Sequence, residues 1–154
     1  MLQARTWLPR TEGAIRLGFK RRGGDTAIDL LHQAGAARVR FPRCAPGEPK
    51  QAVLLNTAGG LTGGDRLDFS IHLGARTRAT LTTAAAEKVY RARDGETTVR
   101  AEIEVGEGAQ LAWLPQATIL FDRARFERRN VLARDFELAP AHSSPLGPNR
   151  EFGA

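Results

Sequence analysis

The sequence predicts an all-β or mainly β chain, and three observations carry that prediction. Short runs alternate apolar and polar residues at the two-residue period of a strand, glycine and proline clusters separate those runs, and one strand–turn–strand unit recurs further along. The expected architecture is a set of stacked β-hairpins forming an elongated β-sandwich or solenoid-like scaffold, with at most one or two short helices.

Taken in order, Ala14-Ile15-Arg16-Leu17-Gly18-Phe19 alternates and predicts a strand. Lys20 to Asp25 supplies a charged turn around Gly23-Gly24, and Thr26 to Leu31 returns, completing a hairpin. Ala34 to Arg40 follows and stops at Phe41-Pro42. Pro42, Pro46, Pro49 and Gly47 then mark an irregular loop. Val53-Leu54-Leu55 and Leu67 to Leu73 predict two strands around a connection dominated by Gly59, Gly60, Gly63 and Gly64 and ending in Asp65.

The repeat begins beyond that connection. Ile71-His72-Leu73-Gly74 through Leu81 superposes without a gap on Ile103-Glu104-Val105-Gly106 through Trp113, a displacement of 32 positions (103 − 71). A weaker third copy falls in Asn130 to Leu138, where the glycine is replaced. Each copy reads as a hairpin, and two at one spacing predict strand pairs that bury their faces on one another. Between the copies, Ala84 to Arg91 carries three alanines that favour helix, against Thr82-Thr83 and Val89-Tyr90 that favour strand. The balance there leans to strand and loop.

Composition narrows the function classes. Hydrophobic residues make up 42% of the 154 and aromatic residues 6%, so the core must rest on Leu, Val, Ile and Ala. The net charge is +6, yet neither aromatic platforms nor a basic helix accompany it, and Arg38-Val39-Arg40 and Arg76-Thr77-Arg78 look like wet strand faces. An acidic protein surface is the expected partner, and nucleic acid is not. Cys44 is the only cysteine, which leaves no internal disulfide and points to a reducing compartment. No apolar run is long enough to span a bilayer, and the chain reads as cytoplasmic.

The glycine connection excludes two nucleotide loops. A P-loop needs Lys and then Ser or Thr after its last glycine, and here Asp65 follows Gly64. A dinucleotide fingerprint needs a GxGxxG spacing that opens a helix, which is absent. No catalytic constellation emerges either. His32, His72 and His142 are far apart and stand in no ligand spacing. Asp65 is read in two ways: as an acceptor of nearby backbone N–H groups at the end of a glycine turn, or as a weak oxygen ligand in a polar passage for an ion. Lys88 and Tyr90 should share one face of an extended segment, with Glu87 and Arg91 on the other. Thr82 and Thr83 read as strand residues, Pro115-Gln116 as the end of the second repeat unit, and Trp113 as core.

These motifs together resemble a known family. Gly59-Gly60-Leu61-Thr62-Gly63-Gly64-Asp65, then Leu81-Thr82-Thr83 with Lys88-Val89-Tyr90-Arg91, then Gly108-Ala109 leading to Trp113-Leu114-Pro115-Gln116 and Ile119-Leu120-Phe121, look like the urease accessory protein UreD (UreH) family. The order and separations fit over roughly residues 5 to 138, with Trp7 and the Thr26 region ahead of them. The resemblance implies a non-enzymatic metallochaperone scaffold of stacked sheets. It implies joining a UreF-like helical accessory protein and a UreG-like GTPase, and nickel in transit to the urease apoprotein with no tightly bound cofactor. The motif residues Gly59, Gly60, Gly63, Gly64, Asp65, Thr82, Thr83, Lys88, Tyr90, Pro115 and Gln116 become candidates for passage or docking, and Asp65 for transient metal contact.

Two departures qualify the resemblance. Members of the family are nearly twice as long, and Pro140 to Ala154 reads as a disordered, off-pattern tail. The expected organisation is therefore a UreD-like β domain over 1–139 and a tail over 140–154, the chain being an amino-terminal fragment. The alternative function is a β-rich ligand-binding enzyme that closes the Gly59–Asp65 loop over a substrate, which calls for a deep pocket with ionisable groups around Asp65.

Overall fold

The computed structural model describes residues 9–134; Trp7 and the tail from Pro140 lie outside them. Eleven strands, and no helix, are found among the described residues. Ala84 to Arg91 is settled as bends leading into a three-residue strand.

The first hairpin forms as expected. β1 (Glu12–Arg22) and β2 (Asp25–Gly35) pair antiparallel through the two-residue Gly23-Gly24 turn, with a bulge beside Gly18. β3 (Ala37–Arg40) pairs antiparallel with β4 (Lys50–Asn56) across the proline-containing loop. Thr26 ties the hairpin to the later chain, its Oγ1 accepting the Arg78 N–H at 2.8 Å.

From Arg66 onward the chain coils, and here the hairpin expectation is corrected. β5 (Arg66–Leu73), β6 (Arg78–Thr83) and β7 (Glu87–Val89) each belong to a different sheet, and β8 (Thr97–Val105), β9 (Gln110–Leu114) and β10 (Thr118–Leu120) repeat the circuit. β11 (Phe126–Arg134) opens the next turn. Strands of successive turns run parallel: β5 with β8 and β8 with β11, β6 with β9, β7 with β10. Each repeat unit is thus an arch between facing sheets. Gly74 and Gly106 lie at the bends, where the Gly74 N–H donates to Phe19 O and the Gly106 N–H to Leu73 O.

The 32-residue displacement is the rung spacing of this coil. Ile71 pairs with Ile103, Leu73 with Val105 and Leu81 with Trp113. Of the third copy, Asn130 to Arg134 lies in β11, in register at a shorter step with Leu132 opposite Ile103, and Asp135 to Leu138 falls outside the described residues. The two large sheets, ordered β11-β8-β5-β1-β2 and β3-β4-β6-β9, face each other. Their inner faces form ladders, Leu17–Ile71–Ile103 on one and Ala52–Leu81–Trp113 on the other. Ile15, Leu17, Phe19, Leu54, Ile71 and Leu81 are essentially fully buried, and full burial of each such side chain stabilises by about 1.5–3 kcal/mol. Burial fades at the last rung among the described residues: Leu114, Leu120, Val131 and Leu132 are exposed.

Candidate functional site

The third side of the coil brings together the glycine connection, Lys88-Val89-Tyr90 and Ile119-Leu120-Phe121, which are separate in sequence. Its first rung is the glycine connection itself. Leu61 bridges Val89 in parallel, the Leu61 N–H donates to Lys88 O at 2.8 Å and the Tyr90 N–H donates to Leu61 O at 2.7 Å. The next rung is Lys88-Val89-Tyr90, and the one after is Ile119-Leu120-Phe121, where the Phe121 N–H donates to Val89 O at 3.0 Å. Leu61 and Val89 point into the core and are buried. Lys88 and Tyr90 share the outer face as expected, Tyr90 lying against Phe121 with ring centroids 4.9 Å apart. Gly60 sits under Tyr90: it has a φ of 153°, and a Cβ there would overlap the Tyr90 ring.

The remaining glycine-loop residues build the turn. At Gly63 a Cβ would stand 2.6 Å from Asp94 O and 2.8 Å from Gly95 O, so this close approach of two chains needs glycine. The Gly64 N–H donates to Glu96 O at 3.1 Å. Asp65 is 3% exposed; its carboxylate accepts the Thr11 N–H at 2.7 Å through Oδ1 and the Thr62 N–H at 2.8 Å through Oδ2. Both oxygens are thereby held by backbone donors, the arrangement expected of a turn carboxylate. Among the described residues no three His, Cys, Asp or Glu side chains converge as a metal set. His72 faces solvent, 3.2 Å from Glu104 on the next rung.

The corner between the second and third sides is cross-linked by the threonine motif. Thr82 Oγ1 donates to Leu114 O at 2.7 Å, and Thr83 Oγ1 accepts the Gln116 N–H at 3.0 Å. The Thr82-Thr83 and Pro115-Gln116 motifs are therefore successive turns of one corner. Thr97, not singled out by the sequence, does the same at the glycine loop: fully buried, it donates from Oγ1 to Thr62 O at 2.6 Å.

Beside this corner a cleft of about 230 Å³ opens between the sheets, lined by Leu54, Phe69, Gly60, Thr83 and the side chains of Asn56, Glu87 and Arg128. Asn56 Nδ2 donates to Glu87 Oε1 at 3.2 Å. Burial holds the Glu87 carboxyl above the usual glutamate range, against the opposing pull of the Asn56 and Lys88 hydrogen bonds and the Arg128 charge. Burial likewise lowers the Arg128 guanidinium, with Glu87 acting in the other direction. Asp65 is not part of this lining. The sequence reading set Glu87 opposite the Lys88–Tyr90 face but did not bring it together with Arg128, because their shared cleft depends on β7 and β11 lining one space, which no local spacing encodes. Glu87 sharing the inward face of the strand with Val89 was the one available signal.

No helix among the described residues is long and apolar enough to cross a membrane. A family model described as UreD urease accessory protein matches residues 11–140. The urease accessory protein UreD of Bradyrhizobium diazoefficiens is 50% identical over 126 residues, 82% of this chain and 45% of that protein. That of Rhodopseudomonas palustris (strain HaA2) is 46% identical over 148 residues, covering 94% and 50%, and that of Rhizobium leguminosarum bv. viciae is 51% identical over 120, covering 78% and 44%. The chain thus spans about half the length of the curated relatives it matches. The family model matches 130 of the 154 residues (11–140), and the chain belongs to the UreD urease accessory protein family.

Proposed function

We propose that this chain serves in the nickel-insertion machinery that matures urease, as a non-enzymatic scaffold working in the cytoplasm. In this reading it assembles with a UreF-like helical protein and a UreG-like GTPase and contacts the urease apoprotein, nickel being cargo held in transit. The observation that carries the reading is the family match over residues 11–140; Leu61, Lys88-Val89-Tyr90 and Ile119-Leu120-Phe121 lie on consecutive rungs of one side of the coil, with Thr82-Thr83 and Pro115-Gln116 at its corner. A continuous, rung-bonded side is suited to presenting a fixed surface to partners, since hydrogen-bonded parallel rungs leave little freedom to rearrange.

Oxygen donors of this kind suit an ion that must leave again, because thiolate and imidazole sets bind first-row metals tightly. Asp65 is retained as a candidate for transient contact only if its carboxylate can leave the Thr11 and Thr62 N–H groups. The alternative of a ligand-binding enzyme would use the cleft of Glu87 and Arg128.

The test is complementation. Expressing this chain in a urease-positive host deleted for its own UreD should restore nickel-dependent urease activity, and the chain should co-purify with the UreF-like and UreG-like proteins. A folded, soluble chain that neither restores activity nor retains those partners would overturn the reading.

A further inference from the structure

We infer that the outer face of the third side is a docking surface for an acidic protein segment carrying aliphatic or aromatic anchors. Tyr90, Ile119 and Phe121 are 42%, 44% and 45% exposed, far above what core packing needs, and they are neighbours by register: Ile119 lies opposite Lys88, and Phe121 stacks beside Tyr90. Three exposed cationic residues adjoin them through the backbone. Lys88 is in the same rung, Arg91 follows Tyr90 with its carbonyl held by Thr62 Oγ1 at 2.9 Å, and Arg123 is brought alongside by the Ala92 N–H donating to Arg123 O at 3.1 Å. Asp122 offsets Arg123 only weakly, at 3.7 Å between two exposed side chains.

An aromatic pair adjoined by exposed cationic residues is the composition of an interface centre with a steering rim. The aromatic pair is also preorganised. Gly60 lies under one edge of the Tyr90 ring and Phe121 beside it, so neither ring must be immobilised on binding, which removes a usual cost of association.

The same geometry favours protein over nucleic acid. Single-stranded binders present free ring faces for bases to stack on, whereas Tyr90 and Phe121 turn toward each other with planes 32° apart. Ile119 beside them offers an aliphatic contact with no role in base stacking. The inference stands apart from nickel delivery, since it concerns binding alone.

The test uses a fluorescein-labelled peptide of repeated Glu-Glu-Leu-Phe, with Lys-Lys-Leu-Phe and Glu-Glu-Ser-Ser repeats as controls, titrated by fluorescence anisotropy into the full chain. The acidic apolar peptide should bind, more weakly as salt rises, and the controls should not. Phe121→Ser should weaken binding about tenfold, as should Lys88→Glu combined with Arg91→Glu, with circular dichroism unchanged in each. If Phe121→Ser perturbs the fold, Ile119→Ser serves in its place. Equal binding of the basic peptide, variants that bind like the parent, or no binding of the acidic peptide would each overturn the inference. Phosphatidylglycerol vesicles or a single-stranded oligonucleotide binding with the same dependence on Phe121 and Lys88 would also overturn it.

Discussion

The Asp65 carboxylate and the Thr11 backbone N–H meet at 2.7 Å across 54 residues of chain. The same carboxylate accepts the Thr62 N–H, and the Asp65 carbonyl accepts the Thr98 N–H, so one buried residue joins the start of β1 and the glycine loop to β8. Asp65→Ala leaves two donors without an acceptor and should cost on the order of 2–4 kcal/mol. Asp65→Asn keeps one acceptor oxygen but turns an NH₂ toward the other donor, and should cost about 1–2 kcal/mol. Urea unfolding measures both. If Asn matches Ala in stability, backbone hydrogen bonding is not what the carboxylate supplies. Urease activation by the Asn variant then separates architecture from ion contact: normal activation with modest destabilisation assigns Asp65 to the turn.

Glu87 should make stability fall as pH rises. Its folded carboxyl holds its proton to a higher pH than in the unfolded chain, because burial disfavours the charge. Between the ordinary glutamate range and that higher value the folded state binds more protons, so unfolding free energy decreases with pH there and the loss persists above it. In Glu87→Gln that decline should disappear, whatever the variant's absolute stability, while the Asn56 Nδ2 bond can remain on the amide oxygen. Chemical denaturation at successive pH values reads the slope. Identical slopes in parent and variant would remove Glu87 from the account.

The strands were legible because alternation reports which residues face the core, and Ile71, Leu73, Leu81, Ile103 and Val105 do face it. The 32-residue repeat was legible for the same reason, since stacked rungs place equivalent side chains over one another. Which strand each one bonds to was not. An apolar run, a Gly74 or Gly106 bend and a second apolar run look alike whether the strands pair as a hairpin or face each other as an arch, because both bury alternate residues. Only the neighbouring rung decides it, through the Leu73 O to Gly106 N and Thr77 O to Gln110 N bonds, and those partners lie some thirty residues away. The cleft that Glu87 and Arg128 share was hidden likewise, the two lying 41 positions apart (128 − 87). The Lys88–Tyr90 face was visible, being a matter of local alternation.

Two threonines measure what cross-rung hydroxyls contribute. Thr97 is buried and donates to Thr62 O at the glycine loop, whereas Thr82 donates to Leu114 O at an exposed corner. Thr97→Val removes one of two donors to Thr62 O, which keeps the Asp65 N–H at 3.0 Å, and should cost about 1–1.5 kcal/mol, while water can replace Thr82, so that Thr82→Val costs about 0.5–1 kcal/mol. Thermal or urea melts rank the two. A larger loss at Thr82 would mean that the corner, not the glycine-loop bond, anchors the coil.

Gly60 and Tyr90 form the pair on which the third side turns, and a double-mutant cycle isolates it. Gly60→Ala drives a methyl group into the Tyr90 ring at a backbone angle that also disfavours a side chain. Overpacking of this kind costs about 1–3 kcal/mol. Tyr90→Ala removes the obstruction but not the backbone cost, so Gly60→Ala should be cheaper in the Tyr90→Ala background by about 1 kcal/mol or more. Additive losses would show that the ring yields freely and that Gly60 is required by its backbone angle alone. Coupling, by contrast, would mean that the glycine connection sets where the Tyr90 ring stands, and that Gly60→Ala should also disturb the packing of Phe121 on Tyr90.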